Sequence, residues 1–213
     1  MSQIARHDFE ASGPPTTTSY YEATEDLGTP FKVFLAGGVV SKRDPATGKE
    51  KTSIADLPGL IATVVRSRVL HSRKLSGADL RYIRSALCMK AKVLAAAADM
   101  TAENYSRCEA GRKPMSSTTE KVYRSFVFLI TFARDKGVQD TIKQQQANSP
   151  VPPDEAQKAL AGFQKLFLEM KISPIFDPAE QLEFTFTRGR RPKAAPCGGD
   201  DGEWKSDLDQ IAA

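Results

Sequence analysis

Cysteine is scarce in this 213-residue chain. Cys88, Cys108 and Cys197 stand far apart and form no CxxC pair, which excludes a disulfide framework and a zinc ribbon. Histidine is scarcer, at His7 and His71 only. No nucleophile–base pairing, phosphate-cradling glycine loop or metal-ligand spacing accompanies them, so neither an enzyme nor a metal or cofactor is expected. No apolar run approaches the roughly 18 residues that cross a bilayer; the densest, 126–133, is eight long and contains Thr131. The first twenty residues lack the apolar run of a secretory signal. Together these absences predict a soluble protein of a reducing cytoplasm with no membrane partner. With 40% hydrophobic and 26% charged residues, the chain has the material for a buried core in one or two small domains.

The net charge of +4 is mild, but its distribution is not. Between residues 62 and 124 stand thirteen basic side chains: Arg66, Arg68, Arg73, Lys74, Arg81, Arg84, Lys90, Lys92, Arg107, Arg112, Lys113, Lys121 and Arg124. Five acidic ones (Asp79, Asp99, Glu103, Glu109 and Glu120) share that window, leaving it at +8 and the rest of the chain at −4. A basic middle between acidic ends is an expected footprint for nucleic-acid binding, because each neutralised phosphate releases condensed counterions. The competing reading is an ordinary solvated helical surface.

Residues 1–28 are polar and rich in Ser, Thr and Pro, which predicts a mobile arm. Phe31, Val33 and Leu35 then alternate as in a strand, Gly37-Gly38 punctuate it, and Val39-Val40 restart it. Asp44-Pro45-Ala46-Thr47-Gly48 is turn chemistry, and a return strand over 51–54 completes a small hairpin. From Pro58-Gly59, the residues Leu60, Ile61, Val64, Val65 and Val69 fall at helical spacing to about Leu70.

The block 75–136 carries the most information. Ser76 is an N-cap, with Asp79 as its capping-box partner, and Leu80, Ile83 and Leu87 share one face of a helix over 77–87. An alanine-rich helix over 90–98 follows, broken by Asp99-Met100-Thr101. Thr101 caps a helix over 102–110 that Gly111 ends. Past Lys113-Pro114, Ser116 or Ser117 caps a longer helix, supported by Glu120, whose apolar residues Val122, Phe126, Leu129, Ile130 and Ala133 repeat at three and four.

Short helices joined by a tight turn inside a basic block describe a helix-turn-helix. The run Leu80-Arg81-Tyr82-Ile83-Arg84, the pair Leu94-Ala95, and the ending Ser106-Arg107-Cys108-Glu109-Ala110-Gly111 with Pro114 resemble the lambda-repressor-like (XRE) DNA-binding domains. Those read as an L-R-x-x-R helix, an L-A scaffold helix, and a recognition helix ending in S-R-x-E-x-G-x-x-x-P; here Pro114 follows Gly111 one position sooner. The upstream hairpin and the phrase 54–60 are similar to bacterial regulators near the MqsA-like antitoxin branch, whose zinc-binding cysteines this chain lacks. The resemblance implies a mainly α fold: a lambda-repressor-like helix-turn-helix domain, a small N-terminal β-hairpin module, and a C-terminal helix and strand extension. It implies a sequence-specific double-stranded DNA-binding transcriptional regulator. The alternatives are an antitoxin or anti-activator acting mainly by binding a protein (a toxin or the transcription machinery), or an interaction module that has lost DNA binding.

By similarity to that family, Ala102, Glu103 and Arg107 face the major groove, with Thr101 and Asn104 beside them. Arg107 suits guanine O6 and N7, Glu103 cytosine N4, and Ala102 a thymine methyl. The bland alternatives are a first-turn acid at Glu103 and an i, i+4 ion pair between Glu103 and Arg107. Lys90, Lys92, Arg112 and Lys113 sit where phosphate contacts fix register. Lys90-Ala91 replace the Ser-Gln pair that often opens the scaffold helix in this family. Tyr105 and Cys108 fall on the inward face, and Cys88 and Cys108 read as small buried thiols. Val127, Phe128 and Phe132 add apolar area to the long helix and are expected to form a homodimer interface, matching half-sites about one DNA turn apart; the alternative is packing against the N-terminal hairpin or a later helix over 154–171.

The expected organisation is therefore a mobile arm (1–28), a hairpin-plus-helix module (29–70), the DNA-binding domain (71–136), a polar linker (137–153), a helix and strand extension (154–187), and a basic turn with a flexible tail (188–213). In the last of these, 188–193 is similar to an AT-hook, although an additional arginine interrupts its core. Trp204 is expected to anchor a final short segment.

Overall fold

The computed structural model describes residues 20–43, 48, 50–133, 162, 164, 169–173, 181–190 and 202–206. Its first element is a strand, β1 (Tyr20–Glu22), followed by the short helix α1 (Thr24–Leu27), which Gly28 closes in the left-handed region at φ 62°. The expected arm therefore does not reach residue 28; 1–19 lie outside the described residues. Strand β2 (Lys32–Ala36) buries Phe31 beside it, and its alternate residues Val33 and Leu35. That is the period of two seen in the sequence.

The partners of β2 come from both directions along the chain. It pairs antiparallel with β1 and parallel with β5 (Glu183–Arg190), and β5 pairs antiparallel with β6 (Gly202–Ser206), giving the order β1-β2-β5-β6. Residues 183–190 and 202–206 thus supply two of the four strands of the main sheet instead of standing apart from it. Arg188 and Arg190 stand in β5 rather than in a basic turn, and 191–193 lie outside the described residues. The Arg188 guanidinium lies 5.4 Å from the centre of the Trp204 ring, and Trp204 is buried. Strands β3 (Val39–Arg43) and β4 (Glu50–Ile54) form the expected hairpin as a separate two-stranded sheet. The linker and most of the expected helix over 154–170 fall outside the described residues.

Against the sheet lies a helical layer. Helix α2 (Leu57–Leu70) begins at Asp56, whose carboxylate accepts from the Gly59 amide, and it buries Leu60, Val64, Val65 and Val69. Three short helices follow: α3 (Gly77–Ala86), α4 (Ala91–Ala97) and α5 (Ala102–Glu109). The long α6 (Ser117–Ala133) packs on α2. Phe31 ties the layers, meeting Phe184 of β5 and Tyr82 of α3 edge-on at 5.1 and 5.8 Å. The chain is mainly helical with a small sheet.

Buried charge, not only apolar area, joins α2, α3 and α6. Arg68 of α2 grips Asp79 of α3 with two bonds of 2.9 and 2.8 Å and donates to the carbonyls of Arg73 and Lys74. Arg124 of α6 donates to the carbonyls of Val69, His71 and Arg73 and to Glu120 at 2.7 Å. Glu120 also accepts from the Leu75 amide and from Lys74. Two guanidiniums thereby clamp the 71–75 connection, where an unpaired buried charge would cost several kcal/mol. Arg68, Arg73, Lys74 and Arg124 are consequently interior groups, not surface charge. Nine basic residues of the central block remain, against three acidic ones once Asp79 and Glu120 are set aside.

The same network turns α6 relative to expectation. Glu120, Tyr123, Arg124, Val127, Phe128 and Thr131 face inward, and Val122 and Leu129 face solvent at 37% and 49% exposure. Glu120 is thus a buried ion-pair partner rather than a capping aid, and Ser116 caps the helix by accepting from the Thr119 amide. Val127 and Phe128 belong to the chain's own core, at 0% and 5% exposure, and so offer nothing to a second copy. Phe132 is half-buried and stacks on Phe128, whose ring meets Gly162 so closely that a Cβ there would lie 2.6 Å away.

Candidate nucleic-acid interface

Helices α3, α4 and α5 are built by one local rule. Each ends on a left-handed residue that lets the chain bend back: Cys88 (φ 52°), Asp99 (φ 52°) and Gly111 (φ 71°). In each case the next amide reaches five residues back, Met89 to Arg84, Met100 to Ala95 and Arg112 to Arg107, closing a Schellman motif. The starts of α3 and α5 are equally local. Ser76 and Asp79 form a full capping box, with the Ser76 amide donating to Asp79 at 2.7 Å, and Thr101 accepts from the Asn104 amide at 3.2 Å. Between α4 and α5 only Ala98 to Thr101 intervene, so the two helices meet across a tight turn.

Packing then fixes one side of α5. Tyr105 and Cys108 are buried, as expected, and the Tyr105 hydroxyl meets that of Tyr123 at 3.5 Å. Burial pushes Tyr105 up to about 12 and also raises the Cys108 thiol, so both stay protonated. Cys88 is exposed, contrary to the buried reading. At the far end of α5, Gly77 lets the start of α3 touch the backbone: a Cβ at that position would sit 2.5 Å from the Glu109 carbonyl oxygen. Arg84 of α3 holds the Glu109 carboxylate at 2.6 Å. That contact links the Arg of the L-R-x-x-R run to the Glu of the S-R-x-E-x-G ending, a physical reason for both residues that sequence inspection missed.

The other side of α5 faces solvent. Thr101, Ala102, Glu103, Ser106, Arg107 and Ala110 are exposed, and Asn104 is half-buried. Glu103 and Arg107 pair at 2.5 Å across one helical turn, the bland alternative of the sequence reading. Both side chains are more than half exposed, so the pair is worth at most about 1 kcal/mol and yields to a better partner. Lys90, Lys92, Arg112 and Lys113 are all exposed, and none forms an ion pair among the described residues. Lys90 and Lys92 flank the start of α4, and Arg112 and Lys113 follow the end of α5, so the four cations bracket the exposed face in sequence.

Among the described residues, no group of three or more His, Cys, Asp or Glu side chains is placed to hold a metal, and no helix is long and apolar enough to cross a membrane. Compared with protein-family models, curated proteins and solved structures, the chain matches none.

Proposed function

We propose that this chain binds double-stranded DNA and regulates transcription, with α4 and α5 acting as a helix-turn-helix and α5 entering the major groove. The observation that carries the reading is the two-sidedness of α5. One side is held by Tyr105, Cys108, Gly77 and the Arg84–Glu109 pair, and the other presents short side chains and Arg107 to solvent. A reading helix needs that combination, because base edges are discriminated only by groups held at a set depth. Exposed Lys90, Lys92, Arg112 and Lys113 supply phosphate contacts that carry no sequence information. Arg107 leaves Glu103 for guanine, and Glu103 is then free to accept from cytosine.

The test is titration of the full chain with its own upstream DNA and with scrambled duplex across a salt series. Tight, sequence-dependent binding supports the regulator, and the stoichiometry on that site reports whether two copies bind. Weak binding that ignores sequence would instead favour a protein-binding role such as an antitoxin or anti-activator.

A further inference from the structure

The β3–β4 ribbon takes no part in the site above, yet the fold holds it firmly. At its root the Ala55 amide donates to the Gly38 carbonyl, and the Ala55 carbonyl accepts from both Arg188 (3.2 Å) and the Trp204 indole (3.1 Å). Gly38, at φ 72°, admits this junction only because it lacks a side chain: a Cβ there would lie 2.7 Å from Arg188 and 2.8 Å from the Trp204 ring. Val39 and Ile54 are half-buried and pack on the core.

Beyond this root the ribbon is two strands wide and exposed. Alternation along a strand puts Val40 and Lys42 on the face opposite Val39, and the register sets Ser53 across from Val40 and Lys51 directly across from Lys42. All four are exposed, Val40 at 51%. Two lysines in directly opposed positions repel, and such pairs destabilise a ribbon. Neither has an ion-pair partner among the described residues. An isolated two-stranded hairpin is marginal in water to begin with, so this placement works against the fold.

We propose that the Lys42–Lys51 face is a second DNA contact, in which the opposed lysines straddle the phosphate backbone of a duplex. The charge is complementary, and a two-stranded ribbon is of a size that DNA grooves accept. The inference rests on the DNA-binding reading and adds to it a sequence-blind clamp on a separate element. The ribbon contributes affinity and salt dependence, not base preference.

Fluorescence anisotropy of the full chain with a labelled duplex, over a fourfold range of salt, tests this with a Lys42→Gln/Lys51→Gln double variant. Loss of two phosphate contacts makes the plot of log affinity against log salt shallower by about 1.8, so over that range the wild type loses roughly 12-fold more affinity than the variant. Preference for the operator over scrambled duplex stays unchanged. Lys42→Glu guards against a folding artefact: it gains a partner in Lys51, so its melting temperature holds or rises while DNA affinity falls. An unchanged salt slope with intact wild-type binding would overturn the ribbon contact alone. Absence of wild-type binding to any duplex would overturn the DNA reading and the ribbon contact together. Lysine-dependent binding to phosphatidylserine vesicles without DNA binding would assign the face to a membrane surface and overturn the proposal.

Discussion

Arg84 and Glu109 stand 25 residues apart and meet at 2.6 Å, fastening the last turn of α5 to α3. The pair is partly buried, and the contact raises the Arg84 pKa through its hydrogen bond to Glu109. A double-mutant cycle with Arg84→Ala and Glu109→Ala is expected to give a coupling of about 1 kcal/mol in urea denaturation. A coupling near zero would mean that packing alone positions α5.

Gly77→Ala is expected to destabilise the protein by about 1–3 kcal/mol through overpacking. Helix propensity argues the other way, since alanine is favoured over glycine by about 1 kcal/mol inside a helix. The steric term wins because the obstacle is backbone: the Glu109 carbonyl oxygen at 2.5 Å and the Gly111 amide at 2.8 Å. Urea midpoints decide the sign.

The three left-handed helix ends make a pair of opposite predictions. Asp99→Gly relieves a conformation that costs an L-residue about 1–2 kcal/mol, partly offset by the added freedom of the unfolded chain, for a net gain of about 0.5 kcal/mol. Gly111→Ala imposes that strain and is expected to lose about 1 kcal/mol. Thermal melts of the two variants should move in opposite directions.

His71 is held neutral. Burial first, then Arg68, Arg124 and Arg73, lower its pKa from 6.5 to about 4, and its Nδ1 accepts from the Arg73 amide. Between those two values the unfolded chain binds a proton that the folded chain does not, so stability falls as the pH drops from about 6.5 towards 4. Asp79 adds loss at still lower pH. Burial alone would raise its pKa, but Arg68 and Ser76 outweigh that and hold it below the usual value. Melting temperature against pH for wild type and His71→Asn should separate the two contributions, with the variant flatter above pH 4.

Arg107→Ala and Lys113→Ala should fail in different ways. The first is expected to lose about 1–3 kcal/mol of discrimination at one base pair while retaining sequence-blind affinity. The second should weaken binding to every duplex and reduce the salt slope by about one. Equal effects of both on all sequences would contradict the assigned roles.

Sequence alone determined what depends on near neighbours. The Ser76–Asp79 box, the Thr101 cap, the Gly111 terminator and the 39–43/50–54 hairpin were readable because their hydrogen bonds close within a few residues. Buried Tyr105 and Cys108 followed from helical spacing for the same reason. Only tertiary structure decided that β2 pairs with β5, some 150 residues downstream, because an alternating strand specifies a buried face and not its partner. It also decided the inward face of α6. Apolar spacing pointed to Val122 and Leu129, but the interior holds Glu120 and Arg124, whose partners Lys74, Leu75 and the 69–73 carbonyls come from a distant connection. A charged residue goes inside only when such partners converge on it, and that convergence exists nowhere but in the folded chain.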